Sequence, residues 1–237
     1  MNIATRHVPN RSAPAADWRV EHFGSEDEPV IVIDNFSGCI DEIEAFGRRA
    51  RYAPVAGYPG IRSPFDARYL GIRGALMGDL IAECFGLQKR CSVESCSLSI
   101  VTLPPDQLHQ QQRRPHYDGT APNLLATVHY TGGSEQGGTA FYRHRRTGFE
   151  AITPERAAQY EAAVREDDRE FGPLPPAYYH GDSERYEMTG EIAAAADRLI
   201  VYRGWRLHSG YIPVAPDRGT MPAKGRLTVN SFLIAEI

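Results

Sequence analysis

A chain of 237 residues with 26 Lys and Arg against 30 Asp and Glu carries a formal charge of −4, which argues against the basic footprint of a nucleic-acid binder. Hydrophobic residues make up 42 %, enough for a sizeable core, yet no apolar run reaches the length that a membrane-crossing helix needs. The N-terminus "MNIATRHVPNRSAPAADW" has no apolar h-region and the four cysteines form no CxxC pair, so the expectation is a cytoplasmic protein with inert thiols and no membrane attachment.

Residues 1–17 are polar and rich in Pro, Ala and Asn, and read as a flexible arm. "EPVIVIDNF" (28–36) is a β-branched apolar run that predicts a buried strand closed by an Asp-Asn turn. "SGCIDEIEAFGRRARY" has helical apolar spacing with acidic residues in its first turn, where the helix dipole favours them, and predicts a helix of about three turns. "APVAGYPGIRSP" (53–64) is dense in Pro and Gly and predicts irregular chain. "YLGIRGALMGDLIAECFG" (69–86) predicts a second helix ended by Gly86.

From Ser95 the texture turns to β. "SCSLSIVTL", "NLLATVHYT" (123–131) and "GGTAFYRHR" (137–145) read as strands, "PERAAQYEAAVREDDREFG" (154–172) as a solvent-faced helix, and "PLPPAYYHGDSE" as an aromatic loop. "YEMTGEIAA", "DRLIVYRGW" and "GRLTVNSFLIAEI" follow as strands. Helices first and strands after predict an α+β, mainly β fold, and roughly seven strands suit a jelly roll buttressed by N-terminal helices. The expected organisation is a single domain over 18–237 with a helical and loop insertion at about 146–192.

Chemistry points to "RRPHYDGTAP". Residues i and i+2 of a strand share a side, so His116 and Asp118 can present an imidazole and a carboxylate to one point. A histidine from a distant strand then completes a 2-His-1-carboxylate face, a donor set that suits Fe(II) and leaves coordination positions open. His208 is the best third ligand, at a strand end before Ser209-Gly210; His129 lies mid-strand and reads as core. The plain alternative is a polar turn with an ion-paired Asp118. For an anionic co-substrate, Arg226 and Thr228 of "GRLT" share a strand face, with Arg218 as the rival anchor. Tyr130, Tyr142, His144 and Tyr202 are candidates for the substrate pocket, and the basic "YRHRR" around His144 suggests an anionic substrate.

In order, "PVIVIDNF", "PHYD", "GGTAF", "LHSG" and "GRLT" resemble the Fe(II)/2-oxoglutarate-dependent oxygenase superfamily on its prolyl-4-hydroxylase-like side, and an uncharacterised bacterial family within it. The resemblance covers residues 28–237. It implies a double-stranded β-helix (cupin-like), iron held by His116, Asp118 and His208, and 2-oxoglutarate with its far carboxylate on Arg226 and Thr228. Arg226 follows His208 by 18 positions, a long gap for that superfamily, so Arg218 stays open as the anchor. The implied activity is hydroxylase-type oxidation of a C–H bond in a small molecule, amino acid or peptide; nucleic acid is not an expected partner. Two other classes remain: a non-catalytic jelly-roll module that binds a metal or ligand, and a cupin-type iron enzyme that does not use 2-oxoglutarate.

Overall fold

The computed structural model describes residues 15–216 and 225–237. Strands β1 (Asp17–Phe23) and β2 (Glu28–Asp34) form an opening hairpin, followed by α1 (Ile40–Gly47), β3 (Ala53–Pro54) and β4 (Gly60–Pro64). A 3-10 stretch (Ala67–Arg73) runs into α2 (Gly74–Phe85), and then come β5 (Cys91–Val101), β6 (Leu124–Tyr130) and β7 (Gly138–His144). The long α3 (Pro154–Phe171) precedes β8 (Tyr186–Ala193), β9 (Arg198–Arg203), β10 (His208–Tyr211) and β11 (Leu227–Ala235). Among the described residues these strands build an eight-stranded sheet, order β1-β2-β9-β6-β11-β5-β4-β3, and a three-stranded sheet, order β10-β7-β8, all pairings antiparallel. Two antiparallel sheets face to face make a jelly-roll core, as expected of a mainly β fold.

The large sheet is covered on both faces, which is why its central strands read as unbroken apolar runs. Ile31, Ile33, Leu125, Leu199, Val201, Val229 and Leu233 point outward, into a cluster shared with Ile43 of α1 and Met77, Leu80, Ile81 and Phe85 of α2. Their strand neighbours Val30, Val32, Ala126, Val128, Tyr130, Ile200 and Tyr202 point inward and meet Phe141 and Ile192 of the small sheet. The outer face of the small sheet, with Ala140, Tyr142 and Tyr186, packs under Tyr160 of α3.

Several elements differ from their sequence-based expectation. Of the expected arm, residues 1–14 lie outside the described residues, and β1 pairs from Asp17, opposite Asp34. The Pro- and Gly-rich stretch 53–64 is not irregular. It holds β3 and β4 at the sheet edge, where a missing proline N–H breaks no internal ladder. Helix α1 is eight residues long, and the second predicted helix begins as a 3-10 segment. Gly86 caps α2 at φ 65°, as its type suggests. Within the span 146–192 lie α3, a loop and most of β8, the last of which pairs with β7. Among the described residues no helix is long and apolar enough to cross a membrane.

Candidate metal centre

His116 and His208 are brought together by the backbone. Each donates its N–H to the other's carbonyl at 2.9 Å, an isolated antiparallel bridge between a loop and the start of β10. In such a pair the two side chains lie on one face, and here the ring centroids are 4.4 Å apart. Asp118 is held by its own N–H, which donates to the Gly204 carbonyl at 2.7 Å. Its carboxylate then reaches both rings, with Oδ1 3.7 Å from His116 Nε2 and Oδ2 3.5 Å from His208 Nε2. One ligand atom from each of the three residues lies within 4.8 Å of the others, a separation that a single ion at bonding distance from all three would bridge. The HxD pair is therefore placed by loop bridges rather than by a continuous strand.

The tautomer of His208 follows from its partner. Nδ1 lies 2.8 Å from the Arg206 carbonyl, which can only accept, so Nδ1 carries the hydrogen and Nε2 turns a lone pair toward Asp118. A metal-ligating histidine needs this arrangement. Burial holds the His208 imidazole down at about 4, the Arg206 carbonyl bond and the Arg206 charge being smaller and opposed influences. His116 is likewise held at about 4, by burial and then by His208, with Asp118 opposing. Its side chain is 53 % open to solvent. Burial pushes the Asp118 carboxyl up, with His116 and Arg62 pulling it back. At neutral pH the cluster thus offers two neutral imidazoles, the protonation state that metal binding requires.

Arg206 ties this corner together. Its side chain is 1 % exposed, donates to the carbonyls of Glu28 and Phe23, and lies over the Phe141 ring at 4.5 Å. Burial lowers its guanidinium to about 10, Glu28 opposing, so it remains charged.

Of the pocket candidates, Tyr202 and Tyr130 face the barrel interior. The Tyr202 ring stands edge-on to His208 at 4.8 Å, and the Tyr130 hydroxyl meets Thr139 Oγ1 at 2.7 Å. Tyr142 and His144 point the other way. His144 is fully buried beneath α3, between Asp167 (2.8 Å) and Thr147 (2.9 Å), and Tyr142 shares that outer cluster. The basic residues around His144 are paired as well, Arg143 with Glu150 and Glu187, and Arg146 with Asp167 and Glu170. Tyr142, His144 and the "YRHRR" residues thus lie on the outer side of the small sheet: on β7, Thr139 and Phe141 take the inward positions, so the residues alternating with them face out.

Arg226 sits just before β11, with its guanidinium carbon 5.5 Å from the Tyr130 ring centroid. Nε and Nη2 donate to the carbonyls of Gln136 and Gly138 at 2.9 and 3.0 Å, and Nη1 stands outside these two bonds. Thr228, two positions on, donates its hydroxyl to Asn230 Oδ1 at 2.6 Å. Arg218 lies outside the described residues.

Three positions beside the cluster were missed by sequence reasoning. Arg206 is one; its place two residues before His208 was the available signal. The others are Arg62 and Tyr58, beside β4, where the guanidinium lies 4.2 Å over the tyrosine ring. The charge of Arg62 bears weakly on His116 and on Asp118.

The fold and the three-residue cluster define a jelly-roll protein with two histidines and one aspartate gathered at one point. The chain belongs to a family of unknown function (DUF6445), whose model matches residues 14–233. No curated protein matches its sequence. Among solved structures it is similar to the non-heme alpha ketoglutarate dependent epimerase SnoN from nogalamycin biosynthesis, at 13 % identity and TM-score 0.50, over 87 % of this chain and 78 % of that one. HygX from Streptomyces hygroscopicus, with nickel and 2-oxoglutarate bound, is similar at 11 % identity and TM-score 0.46, over 86 % and 82 % of the two chains. At these identities the likeness is one of fold.

Proposed function

We propose that this protein is a non-haem Fe(II)- and 2-oxoglutarate-dependent oxygenase that oxidises a C–H bond of a small-molecule, amino-acid or peptide substrate. The observation that carries the reading is the His116, Asp118 and His208 cluster, with His208 Nε2 freed by the Nδ1 bond to Arg206. The likeness in fold to SnoN and the ordered motifs, which favour the prolyl-4-hydroxylase-like side of the superfamily, support it.

The donor set fits a divalent iron: two imidazole nitrogens and one carboxylate, with the remaining positions open. Bound there, iron with 2-oxoglutarate supplies the activation of O₂ that no side chain can perform. The chain's own residues do the rest. His116 and His208 offer Nε2 and Asp118 its carboxylate. Arg226, through Nη1, and Thr228 take the far carboxylate of 2-oxoglutarate, and Tyr130 and Tyr202 wall the cavity against water.

One observation favours a second reading. Arg226 already donates to two carbonyls and Thr228 to Asn230, which suits a cupin-type iron enzyme of the same fold that makes no use of 2-oxoglutarate. Calorimetry of 2-oxoglutarate binding to the Mn(II)-loaded protein, together with succinate release from the Fe(II)-loaded protein, separates the two. The oxygenase reading expects both signals in wild type, and binding weakened about tenfold or more in Arg226→Ala, the scale of one charge-assisted pair. Absence of both signals in wild type leaves the cupin-type reading.

A further inference from the structure

We infer that Arg62 is a second anion site in the same cavity and that it selects a primary substrate bearing a carboxylate. This rests on the oxygenase reading and extends it to the substrate.

The placement comes from strand register. Arg62 on β4 pairs with Ser99 on β5, which pairs with Thr228 on β11, which pairs with Tyr130 on β6. Directly paired residues share a face, and Tyr130 faces the interior, so Arg62 and Ser99 do too. On β11, β5 and β4 this interior face carries Thr228, Asn230, Ser97, Ser99 and Arg62.

Arg62 is also under-used by the fold. Its Nε is buried with no hydrogen-bond partner among the described residues. Arg114 and Arg206 leave Nε unbonded as well, but they place other nitrogens on Asp168 and on backbone carbonyls. The contact that Arg62 makes is with the Tyr58 ring, which fixes the plane of the guanidinium and leaves its donor edge unengaged. Asp118, the carboxylate that feels its charge, is turned to the two histidines. A buried donor group without an acceptor is costly unless a ligand supplies one.

Charge balance names the ligand. A divalent ion and Asp118 leave one net positive charge; the 2-oxoglutarate dianion makes it one negative; Arg226 neutralises that. Arg62 then stands as one unmatched positive charge beside the reacting centre. A monoanion fits, and the two-pronged guanidinium matches a carboxylate.

The test uses a panel of N-acetyl amino acids, each paired with its methyl ester, and phenyl phosphate as a second anion. Binding to the Mn(II)- and 2-oxoglutarate-loaded protein is read by calorimetry. Wild type is expected to bind at least one acid about tenfold more tightly than its ester, the scale of one charge-assisted bond. In Arg62→Met the acid and ester converge to within about twofold, Arg62→Lys falls between, and 2-oxoglutarate binding is unchanged; Arg62→Gln serves if the Met variant does not fold. Four results overturn the proposal: acids and esters binding alike throughout the panel, an acid preference that survives Arg62→Met, tighter binding of phenyl phosphate than of any acid, or loss of 2-oxoglutarate binding in Arg62→Met. If wild type binds no 2-oxoglutarate, the proposed function fails instead, and the acid–ester comparison on metal-free protein still reads Arg62 by itself.

Discussion

At the scale of single residues, the cluster depends on groups that are not ligands. Arg206 satisfies two carbonyls from the β1–β2 hairpin while its own carbonyl orients His208. Arg206→Ala leaves those carbonyls without donors and opens a cavity beside Phe141; it is expected to lose about 3 kcal/mol of stability by urea denaturation. Asp197 makes a comparable buried knot, accepting from Ser37 N–H and hydroxyl, Gly38 N–H and His129 Nε2. Burial pushes its carboxyl up, but the bonds from His129, Ser37 and Gly38 outweigh burial and hold it below the ordinary aspartate value of 3.8. A carboxyl lowered in the folded state stabilises fully above the unfolded value, and that contribution is lost as pH falls through the lowered one. The contribution of Asp197 should therefore be full and independent of pH near neutrality and decline below about pH 4, with a shallower acid decline in Asp197→Asn. An unchanged acid slope in that variant would remove Asp197 from the account.

At the scale of elements, the "GG" of "GGTAF" has a steric cause. Gly137 sits at φ 87° where a Cβ would stand 1.9 Å from the Tyr211 carbonyl, and a Cβ on Gly138 would stand 2.2 Å from that of Ile192. Both sit where β7 enters between β10 and β8, so a side chain there pushes apart the strands that carry His208. Gly137→Ala is expected to lower stability by at least about 2 kcal/mol, read from the urea midpoint, and to weaken metal binding with it. Much at this scale was legible. Val30–Ile33 and Leu124–Tyr130 announce themselves as apolar runs because both faces of their sheet are covered. Strand β4 was not legible, because its pairing with β5 is long-range while its local composition, Pro59, Gly60 and Pro64, argues for a loop. Arg62 was lost with it. The alternation along β7 shows that Tyr142 and His144 share a face, but a period of two does not say which face is inward. That is why the sequence groups Tyr130 and Tyr202, which face inward, with Tyr142 and His144, which face outward.

At the scale of the whole molecule, the site is where three distant parts of the chain meet: the loop 116–118, the start of β10 and the polar edge of the large sheet. The HxD motif was readable because His116 and Asp118 are near neighbours in sequence, and His208 was readable from its strand end before Ser209-Gly210; the bridge between His116 and His208, which sets their distance, was not. A ligand set assembled from separate segments couples metal binding to folding, so a saturating divalent ion should raise the thermal midpoint by several degrees. The central claim, that these three side chains form one metal centre, is tested most directly by anaerobic Fe(II) titration of wild type, His116→Ala, Asp118→Ala and His208→Ala, with the thermal midpoint as a check on folding. The account predicts one Fe(II) per wild-type chain and at least about tenfold weaker binding in each folded variant. Equal Fe(II) binding by wild type and the His208→Ala variant would contradict it.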